Sequence, residues 1–163
     1  AVATKADYIT VLIGANDLCA ASAAAMASTA DFARHIDAAL GALDEGLPQS
    51  RVFLGSIPAL YQLWSALHTD PKARRAWQAA GTCRSMLDPG STEAQRGQVV
   101  ARQQAFNRIL AQTCARYATC RWDGGAISGY RFSAADISTL DYFHPGVRGQ
   151  AELADLAWRA FEP

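Results

Sequence analysis

Asp141 and His144 stand three residues apart in the stretch Asp141-Tyr142-Phe143-His144-Pro145, a spacing that suits a general base and the acid that orients it. A histidine base needs one ring nitrogen free toward a nucleophile and the other held in a fixed tautomer, which a neighbouring carboxylate achieves. Such a pair still needs a nucleophile and a site for developing negative charge. Metal ligation is the competing use of the same two side chains, but no third ligand lies near them in sequence. His35 falls on a predicted helix and His68 beside a predicted turn, so both read as surface or packing histidines. The four cysteines, at 19, 83, 114 and 120, show no Cys-x-x-Cys spacing, so zinc-ligand spacing is absent. Neither a metal nor a cofactor is expected.

The elements that must position this pair follow from hydrophobic periodicity. Ala1 to Asp7 reads as the tail of a helix that runs into Tyr8-Ile9-Thr10-Val11-Leu12-Ile13, an apolar, β-branched run expected to be a strand buried on both faces of a parallel sheet. It ends at Gly14-Ala15-Asn16-Asp17, at the strand's carboxyl end, where open α/β sheets bind ligands. Ser28 to Asp31 has the capping-box pattern, and Phe32, Ile36, Leu40 and Leu43 then recur at helical spacing, predicting a helix from about Thr29 to Asp44. Gly46-Leu47-Pro48 stops it, and Arg51 to Gly55 is a second buried strand.

From Ala59 to Gly90 the pattern is less regular. Leu60, Leu63, Trp64 and Leu67 share one helical face, Asp70-Pro71 breaks it, and a short helix follows near Trp77. This segment could be a lid or one wall of an acyl pocket, although aromatic stripes are more often core. A long amphipathic helix is predicted from about Thr92 to Tyr117, with Gln103 the exception among its apolar positions. Cys120 to Trp122 is a weaker strand candidate. Ser133 to Asp136 repeats the capping box, and Val147, Ala151, Ala154, Trp158 and Phe161 trace a final helix after Pro145. Strands alternating with helices argue for one domain, a three-layer α/β/α sandwich with a parallel sheet.

Composition narrows the function classes. The net charge is zero, and the 15 basic residues are scattered, which reads as solvated surface and gives no reason to expect nucleic acid as partner. No apolar run reaches the ~18 residues that a transmembrane segment needs. An even number of cysteines favours disulfides in an oxidising compartment, with four buried thiols the other possibility. Of the three pairings, Cys114 with Cys120 and Cys19 with Cys83 is the simplest, since the first closes a short helix-to-strand connection.

Two blocks carry a family resemblance. Ile13-Gly14-Ala15-Asn16-Asp17-Leu18-Cys19 after a hydrophobic strand, and Ser138-Thr139-Leu140-Asp141-Tyr142-Phe143-His144-Pro145 before a terminal helix, resemble the third and fifth sequence blocks of the SGNH (GDSL) hydrolases. The longer forms are similar to secreted bacterial esterases and lipases of the phospholipase B-like branch. The resemblance implies a flavodoxin-like sandwich, a secreted location and a Ser-His-Asp triad acting on a small-molecule or lipid ester. It makes His144 the base, Asp141 the acid and Asn16 the oxyanion donor, while Gly14 lets the backbone approach the substrate.

The chain departs from the family pattern at the nucleophile. It holds no Gly-Asp-Ser and no Gly-x-Ser-x-Gly, and Gly55-Ser56 reads only as a strand end. The block with the oxyanion glycine is also unmatched. Both blocks are expected in an N-terminal segment of the same protein, upstream of Ala1. Without it the chain is expected to be inactive alone. An inactive fragment or binding module on the same scaffold is the alternative.

Overall fold

Three parallel strands, β1 (Tyr8–Val11), β2 (Arg51–Leu54) and β3 (Cys120–Trp122), form a sheet in the order β1-β2-β3. The register pairs Tyr8 with Arg51 and Val52 with Cys120. This computed structural model describes residues 1–161. The helices are α1 (Ala15–Leu18), α2 (Thr29–Gly46), α3 (Leu60–Leu67), α4 (Pro71–Ala80), α5 (Arg84–Leu87), α6 (Glu93–Cys114), α7 (Ala126–Gly129) and α8 (Val147–Phe161).

The alternating side chains of the strands divide the molecule into layers. Val52 and Leu54 point into the main core with Phe32, Ile36 and Leu40 of α2 and Val99, Phe106 and Leu110 of α6. Phe32 and Phe106 stack there with ring centroids 3.9 Å apart. Phe53, the intervening residue of β2, is fully buried on the opposite face, where Phe161 of α8 meets it and Tyr8 edge-on. This is the α/β/α sandwich expected from the alternation of elements.

Local sequence explains where the helices start. Ser28 accepts the Asp31 N–H at the head of α2, Asp70 caps α4 with Pro71 in its first turn, and Thr92 and Gln95 form a reciprocal capping box on α6. Each satisfies backbone donors that have no intrahelical partner.

Four expectations need correction. The first residues form only a single 3-10 turn, Val2–Thr4, ended by Lys5 in the left-handed region (φ 50). β1 is not buried on both faces: it stops at Val11, and Leu12 and Ile13 are 61% and 51% exposed. It lies at the edge of the sheet with β2 as its neighbour, so its apolar run is covered only in part. Of the face assigned to α8 only Phe161 packs inward, against Phe53 and Tyr8, while Val147, Ala151, Ala154 and Trp158 are exposed. The buried residue of the helix is Gly149, where a Cβ would stand 2.2 Å from the Asp136 carbonyl oxygen. Counting large apolar residues misses a helix face set by the absence of a side chain.

Arg96 is the fourth correction, because it is not a surface charge. Its guanidinium is buried and donates to the carbonyls of Met86, Asp88 and Ser91, and it lies 3.5 Å from the Trp64 ring centroid. Gln103 is buried too, accepting the Leu60 N–H and donating to the Ile57 carbonyl. Both hold the irregular Ser56–Pro89 region to α6. Hydrogen bonds to otherwise unpaired carbonyls are what make such polar burial tolerable.

Both disulfides follow the simplest pairing, Cys19–Cys83 and Cys114–Cys120. The first closes a loop with a sequence separation of 64, for which chain entropy implies about 4 kcal/mol of stabilisation. A Cys19→Ser/Cys83→Ser double variant is therefore expected to lose several kcal/mol in denaturant unfolding, and a loss under about 1 kcal/mol would contradict the entropic account.

Candidate active site

Asp141 organises its own turn before it touches the histidine. Its Oδ1 accepts the N–H groups of Phe143 (2.9 Å) and His144 (3.1 Å), while Oδ2 lies 2.6 Å from His144 Nδ1. One oxygen builds the loop and the other holds the ring. The turn requires Tyr142 to take a left-handed conformation (φ 56), unusual for a residue with a large side chain. Neighbours on several elements hold it there. Trp77 Nε1 of α4 donates to the Tyr142 carbonyl (2.8 Å), and the Ser138 N–H donates to the His144 carbonyl (2.9 Å).

Partial burial pushes the Asp141 carboxyl up, but hydrogen bonds from the His144 ring and from the Phe143 and His144 N–H groups outweigh it and hold the group below its ordinary value. The carboxylate is thus ionised at neutral pH, the state that accepts from an imidazole N–H. The His144 side chain is 72% exposed, leaving its far face open to solvent.

Behind this turn stands a second carboxylate, Asp136, almost fully buried. Its Oδ2 accepts the N–H and hydroxyl of Ser133, closing the expected capping box around a 3-10 turn at Ala134–Asp136. Arg148 Nε lies 2.9 Å from the other oxygen, an ion pair without hydrogen-bond alignment. The Asp136 carbonyl accepts the Gly146 N–H at 2.8 Å, and Ile137 bridges Pro145 as a short antiparallel contact. Asp136 thus braces the two ends of the loop that carries Asp141 and His144.

The Ser133 backbone N–H, ahead of the other favourable contacts, holds the Asp136 carboxyl below its ordinary value against the opposing effect of burial. Its folded pKa lies below its unfolded one. Its contribution is therefore complete above the unfolded value and is lost as pH falls through the folded one. Asp136→Asn should lower stability at pH 7 by about 1–3 kcal/mol. The difference from the parent should shrink in strong acid, and a gap independent of pH in urea unfolding would refute the linkage.

Asn16 arrives from the carboxyl end of β1. Gly14 adopts φ 104, and a Cβ there would stand 2.7 Å from Ile57 Cδ1 and 3.0 Å from Phe32 Cζ. Glycine therefore allows the strand to turn sharply into α1. Leu18 at the end of α1 is anchored through its carbonyl, which accepts the Ser85 hydroxyl at 2.6 Å, and the adjacent Cys19 is bonded to Cys83. The α4–α5 region thus grips both the Asn16 turn and, through Trp77, the His144 turn.

Asn16 and His144 meet at one cavity of about 160 Å³, which they line together with Ala15, Leu60, Leu63 and Phe143. A separate depression of about 230 Å³ lies on the other side of Asn16, bounded by Leu12, Gly14, Asp17 and Ser56. Gly14 contributes to this second depression rather than to the first.

Ser56 is buried, donates its hydroxyl to Asp123 Oδ2 (2.6 Å) and accepts the Ser128 N–H (2.8 Å). Asp123 also receives the N–H groups of Gly125 and Ile127. This closed network spans the ends of β2 and β3 and leaves the hydroxyl engaged in structure, as its strand-end position suggested. His35 is exposed on α2, and His68 sits over the Trp64 ring with Nδ1 2.9 Å from the Trp64 carbonyl. Among the described residues no three His, Cys, Asp or Glu side chains cluster as a metal site would need.

Sequence reasoning missed Trp77, Ser85 and Asp136 as supports of the site. Trp77 carried one usable signal, since a buried indole N–H requires an acceptor.

Searches of curated proteins and of solved structures returned no match. A family model does match, that of the GDSL-like Lipase/Acylhydrolase family, over residues 1–152. With nearly the whole α/β sandwich covered, the chain belongs to this family of ester-type hydrolases.

Proposed function

We propose that residues 1–163 form one hydrolase unit supplying the base, the acid and one oxyanion donor of a serine esterase or lipase. His144 is the base, Asp141 the acid, Asn16 the side-chain oxyanion donor, and Gly14 shapes the turn that presents it. The nucleophilic serine comes from an N-terminal segment of the same protein, upstream of Ala1. The observation that carries this reading is the 2.6 Å contact of Asp141 with His144 Nδ1, with the ring beside Asn16 at one apolar cavity.

In the reaction, His144 Nε2 takes the serine proton as the hydroxyl attacks the ester carbonyl. The carbonyl oxygen becomes an oxyanion and receives the Asn16 amide N–H, while Asp141 stabilises the imidazolium. The imidazolium then protonates the departing alcohol. Water, deprotonated by the same ring, attacks the acyl-serine, and the ring returns that proton to the serine oxygen as the carboxylic acid leaves.

The second depression supports the position of the nucleophile. Exposed Leu12 and Ile13 line it beside Asn16, and apolar side chains at a sheet edge are usually covered. The substrate is a small-molecule or lipid ester. No described helix is long and apolar enough to cross a membrane, and two disulfides accord with an extracellular location.

The alternative is an inactive scaffold or binding module, in which Ser56, locked in its own hydrogen-bond network, offers no substitute nucleophile. The two readings separate on a short-chain aryl ester. A preparation containing the upstream segment should hydrolyse it and stop on treatment with a serine-directed sulfonyl fluoride, whereas the 163-residue chain alone should show no triad-dependent turnover. Inert full-length protein would support the binding module.

A further inference from the structure

We propose that Trp77 is a positioning residue for ester hydrolysis: its indole N–H, donated to the Tyr142 carbonyl, keeps the Asp141–His144 turn in the one conformation that aligns base and acid. The assignment rests on the hydrolase reading above.

The turn does not hold itself. Tyr142 sits in the left-handed region (φ 56), which a side chain disfavours, so a released turn would relax away from it. Most of the contacts that oppose this are local. The Tyr142 N–H donates to the Ser138 carbonyl, the Ser138 N–H to the His144 carbonyl, and the Phe143 and His144 N–H groups to Asp141 Oδ1. Such bonds move with the loop. Among the described residues, the Trp77 donor makes the one hydrogen bond that reaches residues 141–144 from outside the 136–150 stretch, across a sequence separation of 65.

The atom it holds gives the contact its leverage on the site. The Tyr142 carbonyl and the Phe143 N–H belong to one peptide unit, which is planar and rigid. Trp77 Nε1 holds the oxygen end at 2.8 Å, and Asp141 Oδ1 holds the nitrogen end at 2.9 Å. Rotation of that unit therefore pulls on the carboxylate whose other oxygen lies 2.6 Å from His144 Nδ1. Without the indole donor the unit is held at one end only, by the acid itself. The carbonyl then turns toward water for a new donor, and the Phe143 N–H and Asp141 follow.

Trp77 is itself fixed. It is 2% exposed on α4, whose first turn is set by Asp70 and Pro71. Its ring centroid lies 6.4 Å from that of Trp64, and the buried Arg96 guanidinium covers the Trp64 face. Past the left-handed Gly81 that ends α4, the chain reaches Cys83 and Ser85, which are joined to Cys19 and to the Leu18 carbonyl. The donor that sets the base thus belongs to the segment that anchors the Asn16 turn, so base and oxyanion donor share one support.

The test uses protein carrying the upstream segment, p-nitrophenyl acetate and two replacements of Trp77. Trp77→Phe removes the N–H and some volume, whereas Trp77→3-benzothienylalanine, introduced at that one codon, keeps the shape and puts sulfur where the N–H was. Both should lower kcat about tenfold with KM within about twofold, because the alignment of acid and base is used in the transition state and not in substrate binding. Leu40→Ala, a core truncation on α2, should lower stability and leave kcat unchanged. In an Asp141→Asn background the benzothienyl replacement should cost less than about twofold, since the alignment it protects is already lost.

Amide hydrogen exchange on the 163-residue chain reads the same contact without turnover. With benzothienylalanine at position 77, the Phe143 N–H should exchange about tenfold faster while the Phe106 N–H in the core of α6 keeps its protection, a local opening and not a general loss of stability. Serine-dependent turnover equal to the parent's in the benzothienyl protein, a loss confined to KM, or unchanged Phe143 exchange overturns the role of Trp77 and leaves the hydrolase reading standing. Faster Phe143 exchange in a longer protein that hydrolyses no ester removes the hydrolase reading, and the role of Trp77 in the reaction falls with it.

Discussion

His144→Ala lowers kcat for ester hydrolysis by on the order of 10⁴-fold or more, because the proposed base both takes the serine proton and returns it to the alcohol. The companion variant Asp141→Asn lowers kcat by about 10⁴-fold for a different reason. An asparagine retains an oxygen for the Phe143 and His144 N–H groups, which Asp141 Oδ1 accepts at 2.9 and 3.1 Å. The loop therefore keeps its shape. The Oδ2 position, 2.6 Å from Nδ1, becomes an NH₂ that can only donate. The ring must then present an unprotonated Nδ1 and carry its proton on Nε2, where a base cannot accept another. Circular dichroism should be unchanged in both variants while steady-state kinetics collapse, and activity within tenfold of the parent in either would sink the assignment.

Much of this arrangement was legible in the sequence because short-range chemistry encodes it. The Asp141 to His144 spacing is set by a single turn, so the contact between the two side chains could be read without knowing the fold. The turn at Gly14, the end of β2 before Gly55 and the caps at Ser28 and Ser133 were legible for the same reason. What stayed hidden depends on long-range partners. Arg96 looks like a surface charge until Trp64 and three carbonyls are brought to it. Trp77 looks like core, and it is buried, but its N–H is spent on the Tyr142 carbonyl, a partner 65 residues away in sequence. The inward face of α8 escaped because Gly149, with no side chain, is its closest contact. Apolar periodicity also overstated β1, since it reports what a strand could bury and not which neighbours cover it.

Asn16→Ala isolates the proposed oxyanion contribution and should reduce kcat by about 10²–10³-fold, the cost of one preorganised amide donor. Asn16 is exposed on the short helix α1, so removing its side chain creates no core cavity and global stability should hardly change. The donor is useful only if it is held before the charge forms, and the restraints lie on both sides of it. Gly14 fixes the turn at φ 104, and the Leu18 carbonyl and Cys19 tie the other end to Ser85 and Cys83. Because charge on the carbonyl oxygen grows between ground and transition state, KM should move much less than kcat. Asn16→Asp is the sharper comparison: it is close in size, but at neutral pH it replaces the donor with an anion facing the oxyanion, and its kcat should fall below that of Asn16→Ala. A loss confined to KM in both variants would assign Asn16 to substrate binding instead.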